Sequence, residues 1–239
     1  MLLLLPGLSF FFIILLAVLP AIFLMRYIYR QDKVEKEPAR LLVQVTLMGV
    51  VAAFASMILE SIGQALLGLT RIDPESPLYT ILLAFLVVAV VEEGTKYFFM
   101  NLLVWKNPAF NYRFDGVVYA VFASLGFAAM ENIMYVFGYG LNVLLARALL
   151  AIPGHMCFGV VFGIFYGHAK QYANQGRKGA CAAHILLGYL IAVLFHGFYD
   201  SCAMIGSSLS AILFALFIVV IYVVIFLVAR SESKTDRPI

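Results

Sequence analysis

The stretch Val-Val-Glu-Glu-Gly-Thr-Lys-Tyr-Phe-Phe, residues 90–99, places two carboxylates and an ammonium group in a run that is otherwise as apolar as lipid. On insertion scales, one charged residue at the centre of a membrane helix costs roughly 2.5–3.5 kcal/mol, and each Leu, Ile, Phe or Val returns only about 0.3–0.6 kcal/mol. Lys96 follows Glu92 by four residues and Glu93 by three, so on a helix it can pair with either. Because one ion pair needs only one glutamate, the stretch favours a functional site over a structural ion pair.

The composition around this stretch is that of a membrane protein. The chain has 239 residues, of which 64% are hydrophobic and 12% are charged, whereas soluble domains carry about 25% charged residues. Apolar segments of about 20 residues or more alternate with charged clusters, and each is long enough to cross the bilayer as a helix. The pattern predicts an all-α polytopic helix bundle, forming one integral membrane domain over residues 1–239. Its seven predicted spans are residues 2–29, 41–69, 79–105, 116–138, 147–169, 180–199 and 208–229.

The positive charges alternate between the two ends of the predicted spans. Of the 16 Lys and Arg residues, thirteen fall on one side, at or after the ends of odd-numbered spans, two (Arg71 and Arg147) fall on the opposite side, and Lys96 is within a span. By the positive-inside rule, this split predicts an external N-terminus and a cytoplasmic C-terminus. The net charge of +3 therefore reflects topology, and no nucleic-acid partner is indicated.

Three further spans each carry polar residues on a face of small residues. The fourth span holds Glu131 and Asn132, the fifth holds His155, and the sixth holds His196 with Asp200 one turn later. Small residues let helices approach closely, so these polar groups are expected at helix contacts. The small residues recur in steps of four: Gly116, Ala120, Ser124 and Ala128; Gly159, Gly163 and Gly167; Gly188 and Ala192.

The depths of these polar residues are similar. At about 1.5 Å per residue, Glu92, Glu131, His155 and His196 all fall between the bilayer midplane and the external face. We therefore expect one cluster that opens outward, in which the acids of the third span meet the imidazoles of its neighbours.

Carboxylates and imidazoles together suit two kinds of hydrolytic site. In a zinc site, three protein ligands leave one position for water, and Glu92, Glu93, His155 and His196 are the candidate ligands. In a metal-free site, a glutamate deprotonates water directly. The spacing does not distinguish the two, and the sequence has no H-E-x-x-H helix.

Each polar residue also has a structural interpretation. His155 and His196, taken singly, suit hydrogen bonds between helices, and Asn132 suits a bridge between helices. Asp200 suits the external interface of the membrane. Glu60, near the outer end of the second span, is interpreted as a structural partner of Arg147.

At these residues the sequence resembles the PrsW family of intramembrane proteases. The resemblance runs from about Arg26 to Asp200, with core motifs over residues 92–200, and the segment Lys36-Glu37-Pro38 also fits. The motifs are Glu92-Glu93-x-x-Lys96; Asp115-Gly-Val-Val-Tyr119, leading through Ser124-Leu-Gly-Phe127 to Glu131-Asn132; Arg147-Ala148 ahead of His155; and His196-Gly-x-Tyr-Asp200.

The resemblance implies a protease of the bacterial cell membrane that makes the first, extracytoplasmic cut in a single-pass anti-sigma factor. A second intramembrane protease then continues, and a sigma factor is released. The family is distantly similar to the CAAX-processing and bacteriocin-immunity membrane proteases. By this resemblance the strongest catalytic candidates are Glu92, Glu93 and His196, followed by His155, Glu131 and Asn132.

The implied reaction is hydrolysis of a peptide bond by activated water. One of Glu92 and Glu93 takes the proton of the water, and the other, with the histidines, holds a metal such as Zn²⁺ or completes a hydrogen-bond network. The supporting roles are donation to the oxyanion by Asn132, charge balance by Lys96 and orientation of His196 by Asp200.

A proton- or ion-coupled transporter is the alternative function, because midplane carboxylates beside a lysine also describe a coupling site. Against it, the two halves of the sequence show no internal repeat and no matching pair of helices broken by Gly or Pro. A non-catalytic membrane scaffold is the third reading of the same residues.

Overall fold

The computed structural model describes the backbone of residues 6–239 and the side chains of residues 11–239. Over this part of the chain it contains seven helices that are long and apolar enough to cross a membrane. We number them α1 (Pro6–Gln31), α2 (Ala39–Gly68), α3 (Pro77–Val104), α4 (Arg113–Tyr139), α5 (Leu141–Asn174), α6 (Lys178–Ile205) and α7 (Ser208–Lys234). The predicted all-α bundle of seven spans is confirmed; residues 2–5 of the first predicted span lie outside the described residues.

The sixth helix is longer than predicted. The expected end at residue 199 is wrong, because the apolar run continues through residues 202–205 and the helix stops only at Gly206, whose φ of 70° is left-handed. Asp200 therefore lies about 8 Å inside the end of α6, at 1.5 Å per residue. His196 lies one turn deeper still.

The core of the bundle is α4, which packs against α1, α2 and α5. The predicted small-residue faces are its contact surfaces. A Cβ placed on Gly126 would overlap the carbonyl oxygen of Thr46 in α2, and a Cβ on Gly163 of α5 would stand 2.7 Å from the carbonyl oxygen of Gly116. These contacts bring the backbones of α2, α4 and α5 together around the polar residues that they carry.

The basic ends of the helices lie together at one end of the bundle. The Arg113 guanidinium at the start of α4 donates to the carbonyl oxygen of Thr235, 3.0 Å away, just beyond α7. Lys170 near the end of α5 donates at 2.6 Å to the carbonyl oxygen of Trp105, just beyond α3. At the same end, Tyr119 donates to Glu37, and burial raises the pKa of the Glu37 carboxyl to about 7.

Two helices contain π-helical turns, which the sequence analysis did not predict. One covers Leu83–Ala89 in α3 and ends just before Glu92 and Glu93; the other covers Arg147–Ala151 in α5 and ends just before His155. A π turn adds a residue to the helical repeat and so rotates every side chain that follows it. The direction in which the polar residues of α3 and α5 point depends on these turns.

The close approach of α2 to α4 gives a direct test of the packing. Gly49→Ala places a methyl group against the carbonyl oxygen of Ala123, so the helices must separate, and we expect a loss of about 1–3 kcal/mol of stability and a lower thermal unfolding midpoint in detergent. Gly68→Ala, which meets nothing within 4 Å, is the matched control. Equal midpoints for the two variants would contradict the packing.

Candidate active site

Lys96 lies at the centre of a buried cluster between α3, α5 and α6. Its Nζ donates to Glu93 Oε1 at 2.7 Å and to Glu92 Oε2 at 3.3 Å, and it lies 3.1 Å from His155 Nδ1. The ammonium also stands 4.3 Å from the centre of the Phe127 ring. The Lys96 ammonium therefore forms ion pairs with both glutamates. Neither Glu92 nor Glu93 is left without a cation.

The two glutamates differ in what surrounds them. Glu93 is fully buried: besides Lys96, Tyr97 donates to its Oε2 at 2.6 Å, and its Oε1 lies 2.7 Å from His196 Nδ1. Glu92 has a longer contact with Lys96, and its Oε2 stands 3.8 Å from His196 Nε2. Glu92 also lines the cavity described below. Glu92 is thus the carboxylate that can meet a ligand, and Glu93 is held in place.

The third acid of the cluster joins His155 to an arginine. Glu131 Oε2 lies 3.0 Å from His155 Nε2 and 2.7 Å from an Arg147 guanidinium nitrogen. Arg147 in turn stacks on the Tyr135 ring, 3.7 Å from its centre. The prediction that Arg147 pairs with Glu60 is wrong, because the start of α5 faces α4 and brings the guanidinium to Glu131.

His196 stands between carboxylates on both ring nitrogens. Its Nδ1 faces Glu93, and its Nε2 lies 3.3 Å from Asp200 Oδ2. The ring packs against that of Phe158, with 4.9 Å between centres, and lies 5.2 Å from the ring of His155. The predicted meeting of the α3 acids with the imidazole of α6 is confirmed.

A cavity of about 630 Å³ opens above this cluster. Glu92, Glu131, His155, His196 and Asp200 line it on one side. The opposite wall of the cavity lies near the C-terminal ends of α2 and α6, which are remote from the basic end of the bundle. Its residues include Gln64, Met204 and Gly206. The cavity therefore leads from the cluster toward that second end.

Asn132 does not face the cavity. Its side-chain nitrogen donates to the carbonyl oxygen of Ala17 in α1 at 2.8 Å, and its oxygen accepts from Arg147 Nε at 3.2 Å. Both halves of the amide are occupied, so the expected donation from Asn132 to an oxyanion does not fit its position. Its contacts are those of a bridge between helices.

Tyr97, which contacts Glu93 directly, was not predicted as a site residue. Its spacing of four residues from Glu93 was an available signal, because residues at this spacing share one face of a helix. Glu60 was assigned a structural role, yet it lines the cavity beside the cluster. No signal in one sequence could have placed Glu60 there, since that depends on how α2 packs.

The residues fit a metal ion in donor type and arrangement. One donor atom from each of Glu92, His155 and His196 lies within 4.8 Å of the other two, and all three residues are buried. A metal-bound histidine commonly donates its second ring nitrogen to a carboxylate. Glu131 and Glu93 stand in that relation to His155 and His196, respectively.

Glu93 itself, predicted as a further ligand, is not in the converging group. Its oxygens are taken by Lys96, Tyr97 and His196. Lys96 also contacts two of the three converging groups, so its ammonium competes with an ion for Glu92 and His155. The charges favour a divalent ion, because four carboxylates (Glu92, Glu93, Glu131 and Asp200) meet only two permanent cations, Lys96 and Arg147.

A membrane helix bundle with a cavity that ends on a carboxylate and two imidazoles has the features of a membrane-embedded hydrolase. A family model described as the PrsW family of intramembrane metalloproteases matches residues 37–229. The chain belongs to this family, and it is a multi-pass membrane peptidase. The transporter alternative is not favoured.

Proteins named "Protease PrsW" are similar to the chain over most of its length. That of Geobacillus kaustophilus is 33% identical over 190 residues, covering 80% of this chain and 79% of the relative. That of Bacillus subtilis is 31% identical over 190 residues, covering 80% and 82%. That of Oceanobacillus iheyensis is 28% identical over 216 residues, covering 90% and 94%. No solved structure matches the chain significantly.

The contact between Tyr97 and Glu93 can be tested through stability. Tyr97→Phe removes the hydroxyl and leaves Glu93 Oε2 buried without that donor, at an expected cost of about 1–3 kcal/mol. We expect a lower thermal unfolding midpoint in detergent. Tyr139→Phe, at a side chain that is 68% exposed, is the control and should leave the midpoint unchanged. A midpoint equal to that of wild type in Tyr97→Phe would show that the hydroxyl does not hold Glu93.

Proposed function

We propose that this chain makes the first, extracytoplasmic cut in a single-pass membrane anti-sigma factor, after which a second intramembrane protease releases the sigma factor. The observation that supports it best is the cavity that ends on Glu92, His155 and His196. Membership of the family establishes the peptidase class. The choice of an anti-sigma factor as substrate, and the position of the cut, go beyond that class and rest on the motifs that the sequence shares with the PrsW family.

The charge distribution supports an external position of the cut. The basic helix ends lie together, and the cavity leads toward the other end of the bundle. With the basic end in the cytoplasm, as the positive-inside rule requires, the N-terminus is external and the cavity faces the external side. The substrate segment that reaches Glu92 is then one close to the outer membrane surface.

We assign the general base to Glu92, because it lines the cavity whereas Glu93 does not. Glu92 accepts the proton of the attacking water, and Glu93 and Asp200 hold the ring of His196 beside it. The donor on the cavity wall that suits the oxyanion is the Arg147 guanidinium, because the ring nitrogens of both histidines already face other polar groups. A zinc ion held by Glu92, His155 and His196 would supply Lewis acidity instead, and Glu92 would then act as a ligand and not as the base.

Cleavage in cells tests both the activity and the substrate class. The chain is co-expressed with single-pass anti-sigma factors tagged at both ends, and the fragments are followed by immunoblot. We expect Glu92→Gln to reduce cleavage by about 10²-fold or more, the usual size of a general-base contribution, with protein levels unchanged.

Glu75→Gln, at an exposed glutamate of the loop before α3, is the matched control and should cleave like wild type. Undiminished cleavage by Glu92→Gln would remove Glu92 from the reaction. Cleavage of other single-pass proteins, with every anti-sigma factor left intact, would overturn the substrate class while leaving the peptidase intact.

The metal assignment has a separate test. We expect the purified protein to hold about one zinc ion per chain by elemental analysis, to lose activity on chelation and to regain it with zinc. Glu131→Gln, which alters the partner of His155, should weaken zinc binding by about 10- to 100-fold. Full activity of a metal-free preparation would contradict the ligand role and leave the reaction to Glu92 alone.

A further inference from the structure

Glu60 is a membrane carboxylate for which the site described so far has no use. It lies in α2 and lines the same cavity as Glu92, Glu131 and Asp200. Near the cavity, Lys96 pairs with the two α3 glutamates, and Arg147 pairs with Glu131. Among the described side chains, no Lys or Arg forms an ion pair with Glu60. Glu60 is also outside the group of residues that converge as metal ligands.

The contacts on either side of Glu60 fix its depth. One turn before it, Ser56 Oγ lies 2.6 Å from Thr95 Oγ1 of α3. One turn after it, a Cβ on Gly63 would stand 2.7 Å from Val87 Cγ1. Because α2 and α3 are antiparallel, Glu60 lies level with about residues 90–92, beside the glutamate that we assign as the base.

Burying an unpaired carboxylate at this position costs free energy, and a positively charged ligand can offset that cost. An unpaired charge inside a membrane span costs roughly 2.5–3.5 kcal/mol on insertion scales, and Glu60 is partly exposed to the cavity, where a bound side chain can reach it. The wall around it carries further carboxylates and one permanent cation, Arg147, which Glu131 already engages. The cavity is therefore complementary to a positively charged group.

We propose that Glu60 forms a subsite that binds a Lys or Arg side chain of the protein substrate next to the scissile peptide bond. The proposal rests on the proposed function, since it names the substrate feature that the same cavity selects. A cavity of about 630 Å³ is roughly 9 Å across and admits about three extended residues at 3.3–3.6 Å each. The basic residue thus lies within about three residues of the cut.

The test uses the full-length chain in detergent and a substrate that it cleaves in a Glu92-dependent manner. Single Lys residues are placed at each of the three positions on either side of the cut, with Gln and Glu at the same positions as matched substrates. We expect wild type to prefer Lys over Gln in kcat/KM by about tenfold at one or more positions, mainly through KM. Glu60→Gln should reduce this ratio to about twofold or less, and Glu60→Lys should prefer the Glu substrate over the Lys substrate.

Glu75→Gln is the control variant and should keep the wild-type preference. A wild-type enzyme without preference for Lys, or a preference that survives in Glu60→Gln, would overturn the subsite. So would an equal loss of activity on all substrates in Glu60→Gln, because that result would place Glu60 in the catalytic network. Absence of any Glu92-dependent cleavage would instead overturn the proposed function, and the subsite with it.

Discussion

The contact on which this structure depends is the set of hydrogen bonds made by the buried Lys96 ammonium. It joins the two carboxylates of α3 to the imidazole of α5, in a chain of which 64% of the residues are hydrophobic. Removing one member of such a buried group is far more damaging than its net contribution suggests, because the remaining charges are left without partners. The arrangement of the helices and the arrangement of the charges therefore stabilise each other.

This mutual dependence explains why the helix faces next to the cluster are built of small residues. A charged network offsets its desolvation only when donors and acceptors meet at hydrogen-bond distances. Gly116 and Gly163 let α4 and α5 approach until their backbones touch, and Gly159 packs against Ser124 in the same contact. Larger residues would hold the helices apart, and Glu131 could then no longer reach His155 from the neighbouring helix.

Much of this arrangement could be predicted from the sequence, for reasons that differ between its parts. The seven spans follow from hydropathy, and the meeting of Glu93 with His196 follows from their similar depth. The partner of Arg147 could not be predicted, because it depends on how the start of α5 packs against α4. The end of α6 lies further along the chain than predicted, because the residues after Asp200 continue the helix as far as Gly206.

The different surroundings of Glu92 and Glu93 show how one dipeptide can supply one carboxylate that is fixed in the core and one that faces the cavity. Adjacent residues of a helix point about 100° apart, so Glu93 enters the protein core while Glu92 enters the cavity. A peptide bond is cleaved only in an extended segment, whose backbone N–H and C=O groups have no partners in lipid. The cavity resolves this conflict, because it admits water and offers polar groups on its walls. Non-helical backbone can therefore be accommodated at Glu92, within the membrane but shielded from the lipid.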